Sequence, residues 1–357
     1  MLFISVIIPV KDRRETLRRC LASIQQSEFP EYEVIVVDDC SRHDCSALVA
    51  EFGFRTVRLN QHQGAWYARN KGAEESKGDI LVFLDGDMLI QPDTLFRIHQ
   101  HFSKDFYDTV SGVCGLRTET KSMVTRYKNL WMYHSYMQSP NDSDWFICGM
   151  GAVKREVFFE LKGFDAGFLT GRGGGDLEFG GRLKSSGKKM FLDKDLEVIH
   201  LQRYTFWDLL RNDFKRSRGW FLLAVQKKML SRVLKKLRIA NIYPAFLFSI
   251  LISVILLVSL FLSFFHEHFI ILTGISALAY LIVNFSLFRF FRKEEGTFFL
   301  ITAIPLSWVD HLISGWGILI GGICCLGQSA IKIVLKIRSD GYLRQHYHRL
   351  INGRTYH

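Results

Sequence analysis

The chain has 357 residues, 46 Lys+Arg against 35 Asp+Glu, and a formal net charge of +11. With 48% hydrophobic and 23% charged residues it is not a disordered chain, and its length allows one large domain or two ordinary ones. Thirty Phe against six Pro points to apolar helix, and the basic balance to nucleic acid, phosphate-rich ligands or an anionic membrane, depending on where the charge sits.

In chain order, Ser5–Val10 (SVIIPV) and Val34–Val37 (VIVV) are short β-branched runs, the pattern of buried parallel strands. Between them, Arg14–Gln26 places Leu17, Leu21 and Ile24 on one helical stripe. Phe54–Leu59 reads as a third strand, Ala65–Ser76 as a helix ended by Lys77-Gly78, and Asp79–Leu84 (DILVFL) as a fourth strand. Pro92 starts the next helix. Strands alternating with helices imply a doubly wound α/β sheet, whose ligands bind beyond the carboxyl ends of the strands.

Pro9 closes the first strand, Asp38-Asp39 the second and Asp85-Gly86-Asp87 the fourth. Carboxylates at two strand ends of one sheet suit a hard cation or a sugar–nucleotide. A divalent ion bridging a diphosphate takes one or two carboxylates, phosphate oxygens and water. Gly86 is expected to let the backbone turn sharply under both carboxylates. A lone Asp-x-Asp is more often an ordinary strand-to-turn feature.

The ordered set is more specific. SVIIPV, VIVVDD, Gly64–Gly72 (GAWYARNKG), Gly78-Asp79-Ile80 and Phe83–Asp87 (FLDGD) resemble the nucleotide-sugar half of family 2 glycosyltransferases with the GT-A fold. Phe146–Arg155 (FICGMGAVKR) and Gly163-Phe164-Asp165 look like the family's acceptor-side strand and "GFD" turn. Gly173–Leu183 (GGGDLEFGGRL) resembles its "GGEDxE…RL" helix, and Val198-Ile199-His200 its "V-x-H". The resemblance covers about residues 3–220. It departs at Gly175, where the family usually has Glu before the catalytic Asp.

The resemblance implies a Rossmann-like nucleotide-binding half within a doubly wound mixed sheet. It implies that Pro9, Asp39, Arg69, Asp85 and Asp87 bind a nucleotide-sugar, with Asp39 at the base and Arg69 near the phosphates. Asp87, with Asp85, would hold Mg2+ or Mn2+; His200 is either a third ligand or a strand-end structural histidine. Asp176 would be the general base of an inverting displacement, with Glu178 a candidate acceptor or phosphate contact.

Residues 201–240 hold eleven basic and two acidic side chains, residues 330–357 six basic and one acidic, and the remainder is net acidic. The basicity therefore flanks the most apolar segments: Ala245–Phe265, Phe269–Phe288, Thr297–Val309 and Leu312–Ile331 carry no charge. About 20 apolar residues cross a bilayer, and basic blocks beside spans read as positive-inside anchors, not nucleic-acid contacts. Arg216, Arg218 and Trp220 precede a basic amphipathic stretch and could contact acceptor phosphate or lipid headgroups. In the flanking aromatic set, Trp131, Tyr133, His134, Tyr136 and Trp145, core roles are favoured for most.

The expected layout is a cytoplasmic GT-A domain over 1–219, an interfacial helix over 220–240, a transmembrane region over 241–331 and a basic tail over 332–357. Spans are expected at about 245–265, 269–290 and 298–331, the last as one span or as a short hairpin turning near Asp310-His311. Phe3–Val10 is too short for a signal peptide, so the catalytic part is expected on the cytoplasmic side of the inner membrane. Seven cysteines without a C-x-x-C pair suit reduced thiols.

The reading is a membrane-anchored inverting glycosyltransferase using a nucleotide-sugar, UDP-sugar favoured, on a lipid-linked or envelope glycan acceptor, with membrane lipids as partners and no nucleic acid. Its alternatives are transfer to polyprenyl phosphate, a processive polymerase, a nucleotidyltransferase on the same sheet, and a non-catalytic membrane scaffold.

Overall fold

The computed structural model describes residues 2–142, 145–169, 174–226 and 244–352. The first half runs β1 (Ile4–Val10), α1 (Arg14–Gln25), β2 (Tyr32–Asp38), α2 (Ser46–Ala50), β3 (Arg55–Arg58), α3 (Ala65–Glu75) and β4 (Ile80–Leu84). It continues through β5 (Met88–Leu89), α4 (Thr94–Ser103), β6 (Thr109–Cys114), α5 (Met123–Met137), β7 (Met150–Lys154), α6 (Arg155–Glu160), α7 (Ala166–Leu169), α8 (Gly175–Ser185) and β8 (Met190–His200). The described strands form one sheet in the order β3-β2-β1-β4-β7-β6-β8-β5. β3, β2, β1 and β4 are parallel, as the alternation of strand and helix requires. β7 enters antiparallel to both β4 and β6 and makes the sheet mixed.

Strand side chains alternate between two cores. Ile4, Val6 and Ile8 face the layer holding Leu17, Leu21 and Ile24 of α1. Ile7, Ile35 and Val37 face the layer of α3, α6 and α8, with Phe83, Phe146, Phe158, Phe164 and Phe179 in mutual ring contact. Both faces of the central strands are buried, which is why their sequences are almost continuously apolar.

Among the described residues four helices follow: α9 (Phe206–Gln226), α10 (Pro244–Leu262), α11 (His268–Val283) and α12 (Phe285–Asn352), the last kinked at Gly296, φ 87°. Helices α10 and Phe285–Cys325 of α12 are long and apolar enough to cross a membrane; α11 is apolar but shorter. α9 lies along α12 at close range. A Cβ on Gly317 would meet the Phe214 carbonyl oxygen at 2.7 Å, and one on Gly321 the Phe221 ring at 3.2 Å. Small residues four apart let the two backbones approach.

Three expectations about this region change. The 269–290 segment is not one helix. It breaks at Asn284, whose Nδ2 donates to Ser249 Oγ at 2.8 Å and to the Tyr280 carbonyl at 2.9 Å; such local bonds compete with helix continuation. Nor does the chain turn near Asp310-His311. α12 runs straight through them, because both side chains are buried and bonded inside the protein, Asp310 to Tyr127 and His311 to Tyr280. Residues 227–243, which hold most of the expected amphipathic helix over 220–240, lie outside the described residues. Residue 220 is no boundary, since it falls within α9. Over residues 332–352 of the tail the backbone is helical.

Candidate active site

Beyond the carboxyl end of β4, the start of α3, the segment leading into β7, the ends of β6 and β8, the first turn of α8 and the flank of α9 come together. They enclose a cavity of about 390 Å3. Arg69, Asp85, Asp176, His200, Arg216 and Trp220 all line it. Six residues chosen from five separate sequence segments thus share one cavity.

On the donor side, Asp85 ends β4, and its Oδ1 receives Arg69 Nη2 at 2.5 Å. Arg69 itself is buried, with its guanidinium 4.7 Å over the Trp66 ring. Asp87 is buried and bonded to Arg13, a residue that sequence reasoning passed over. The register Met88↔His200 between β5 and β8 sets Asp87 beside the imidazole, Oδ2 to Nε2 3.7 Å. Burial acts to raise the Asp87 pKa, but His200 and then Arg13 outweigh it, so the carboxyl stays below the usual range. Gly86 does not have the expected role. Its φ is not positive, and a Cβ there would meet nothing closer than Ile8 at 3.5 Å.

Pro9 and Asp39 sit at the predicted strand ends but do not line the cavity. Asp39 accepts from the backbone of Gln63 at 2.7 Å and Gly64 at 2.9 Å and lies 2.7 Å from His62 Nδ1. Its carboxylate fixes the loop leading into α3 rather than facing open space.

On the acceptor side, Asp176 lies in the first turn of α8 and accepts the Leu177 amide at 2.9 Å. Burial raises its proton affinity above an ordinary aspartate; the Trp145 indole, the Leu177 amide, Arg216 and Arg69 oppose this and do not overcome it. Arg216 comes from α9, held by Asp213 at 3.6 Å. Tyr204, also in the wall, has its phenol pushed up to about 12 by burial and stays a neutral donor.

Two other named residues lie elsewhere. Glu178 is buried and bonds to Arg182, Oε1 to Nε 2.9 Å and Oε2 to Nη2 2.8 Å. Arg182 also donates to the carbonyls of Leu161 and Gly163, so Glu178 holds α8 onto the "GFD" turn. Arg218 is exposed beside Cys324 of α12. Of the aromatic set, Tyr136 and Trp145 line the cavity, while Trp131 packs on Phe246 and Tyr133 on Phe290. Trp66 and Tyr204 were not foreseen. The only signal for Trp66 was an aromatic pair, Trp66-Tyr67, at the start of a helix that follows a strand end.

Residues 5–161 match the family described as glycosyl transferase family 2. This is the family that the ordered motifs resemble. The mixed sheet, with parallel β3-β2-β1-β4 followed by antiparallel β7, is of the GT-A type, as the order of motifs implied. Glycosyltransferase AglE of Haloferax volcanii is 26% identical over 238 residues, which cover 65% of this chain and 76% of that protein. An undecaprenyl-phosphate 4-deoxy-4-formamido-L-arabinose transferase of Pseudomonas fluorescens is 33% identical over 166 residues, covering 43% of this chain and 47% of that protein. A poly-beta-1,6-N-acetyl-D-glucosamine synthase of Staphylococcus epidermidis is 28% identical over 106 residues, 29% of this chain and 26% of that one. For the latter two, the match spans less than half of the relative.

Proposed function

We propose that this protein is a membrane-anchored, inverting glycosyltransferase that moves a sugar from a nucleotide-diphosphate donor, UDP-sugar favoured, to a lipid-linked or envelope glycan acceptor. The observation that carries the reading is Asp176. It shares one 390 Å3 cavity with Asp85 and Arg69 of the donor side, and its proton affinity is raised. A base of raised pKa is better matched to accepting a proton near neutrality.

In this reading Asp176 takes the proton of the acceptor hydroxyl. That oxygen attacks the anomeric carbon from the face opposite the diphosphate, and the bond from carbon to phosphate oxygen breaks with its electron pair leaving on the diphosphate. Arg69 and Asp85 hold the donor beside β4, while the Asp39-fixed loop flanks the nucleotide. The donor set at Asp87 and His200, a hard carboxylate oxygen beside an imidazole nitrogen 3.7 Å away, fits Mg2+ or Mn2+ with phosphate oxygens and water completing the shell. Bound there, the cation would neutralise the leaving diphosphate.

The apolar helices α10 and α12 support a membrane anchor, with the catalytic part on the cytoplasmic face of the inner membrane. Arg216 favours a second acceptor class, a polyprenyl phosphate: a half-buried guanidinium in the cavity wall matches a phosphate, and its helix is packed on a candidate span. The test is nucleoside diphosphate release from a panel of nucleotide-sugars in nanodiscs with Mn2+, with and without lipid-linked acceptors and polyprenyl phosphate. Pyrophosphate release instead would overturn the reading in favour of a nucleotidyltransferase, and no turnover would favour a scaffold.

A further inference from the structure

Gly175 stands where the family resemblance leads one to expect glutamate, and Trp66 fills the space. A Cβ placed on Gly175 would lie 2.6 Å from two atoms of the Trp66 ring and 2.7 Å from a third. Carbon atoms do not approach that closely, and an indole has no flexible end to move aside. The backbone does not ask for glycine here, since φ at 175 is not in the left-handed region. The ring does.

Trp66 is held in turn. It is the second residue of α3 and rests on Phe164 with ring centroids 5.3 Å apart. The Arg69 guanidinium stacks over it at 4.7 Å and pairs with Asp85. The half-buried indole therefore lines the cavity wall, tied on one side to the donor pair Arg69–Asp85 and abutting on the other the residue next to Asp176.

We propose that Trp66 is the specificity-determining wall of the sugar subsite, with Gly175 as the residue that admits it. The transferred sugar packs an apolar C–H surface on the part of the indole that lines the cavity, beside the Arg69 guanidinium and the Gly175 backbone. A carboxylate at 175 would accept hydrogen bonds from sugar hydroxyls; the indole offers apolar area and a fixed shape instead. The donor is then chosen by one apolar face of the pyranose rather than by hydroxyls directed at an acid. This inference rests on the glycosyl-transfer reading above.

The test uses the full-length protein in nanodiscs with UDP-glucose, UDP-N-acetylglucosamine and GDP-mannose, each against its own nucleoside diphosphate as competitor. For the donor that wild type turns over fastest, Trp66→Ala should raise KM by about tenfold or more. Inhibition by the nucleoside diphosphate alone should stay within about twofold of wild type, since that ligand carries no sugar. Trp66→Phe keeps a ring and should fall between. Gly175→Ala should damage donor binding by displacing the indole, and the double variant Trp66→Ala/Gly175→Ala should be no worse than Trp66→Ala, because the collision is gone. Unchanged donor kinetics in Trp66→Ala, equal losses for sugar-nucleotide and nucleoside diphosphate, or additive losses in the double variant would each overturn the wall. A wild-type protein that releases no nucleoside diphosphate from any donor overturns the glycosyl-transfer reading itself.

Discussion

Two of the places where the protein buries charge treat it in opposite ways. In the cavity, Asp85, Asp176, His200 and Arg216 face open space that a substrate can enter. At the joint of α5, α9 and α12 the charges close on one another. Lys128 and Asp213 are 2% and 4% exposed and 2.6 Å apart, and the Tyr127 hydroxyl donates to Asp310 at 2.9 Å. Taking an ion out of water costs several kcal/mol unless partners repay it. A closed set can be kept for the helix packing it specifies; an open set of perturbed groups points to chemistry. The difference separates what the catalytic residues do from what holds them against the membrane helices.

The comparison breaks first at Asp176. Asp176→Asn keeps the shape and removes the base, so nucleoside diphosphate release coupled to acceptor should fall by on the order of 10³ or more, with no drop in melting temperature. Wild-type turnover in that variant would remove Asp176 from catalysis. Asp87→Ala should lose turnover on a similar scale and should not be rescued by raising Mn2+, because the carboxylate that pairs with His200 is gone. A variant rescued by millimolar Mn2+ would leave Asp87 as an affinity residue only.

Lys128→Met tests the closed set. It leaves Asp213 buried without its ammonium partner and should lower stability by about 3–5 kcal/mol, read as a fall in melting temperature in detergent. Transfer per folded molecule should drop far less than in Asp176→Asn. Intact stability with abolished turnover would reverse the assignment of the two clusters.

Much of the first cluster was legible in the sequence, and little of the second. Short apolar runs followed by Asp38-Asp39 and Asp85-Gly86-Asp87 announce strand ends, because a parallel sheet puts its ligand there. The ordered motifs also brought Arg69, Asp176 and His200 to one place. What failed were statements about direction. Glu178, two residues from Asp176, is turned to the other side of α8 by Arg182, and Gly86 is not sterically required. The joint was hidden for a different reason. Lys128 and Asp213 lie 85 positions apart, Tyr127 and Asp310 183 apart, and no local pattern announces a partner at such range. The same partnership carries α12 through Asp310-His311, where an uncompensated polar pair between apolar runs reads as a turn.

Arg216 belongs to both clusters, and it gives the smallest and most discriminating test. Its guanidinium is anchored by Asp213 at the joint and lines the cavity. Its charge favours the anionic form of Asp176 and so opposes the upward pull of burial. In the wild type, transfer should fall on the acid side as Asp176 takes up a proton, with a midpoint above the usual aspartate value of about 3.9. Removing the cation removes one of the opposing influences. Arg216→Gln should therefore move the midpoint further up in pH, the variant losing activity at a pH where wild type still works. The pH profile of kcat/KM reads this directly, and above both midpoints the two proteins differ only by whatever Arg216 contributes to binding acceptor. An unchanged midpoint would mean that Asp176 does not feel Arg216. The two clusters would then meet in packing alone and not in charge.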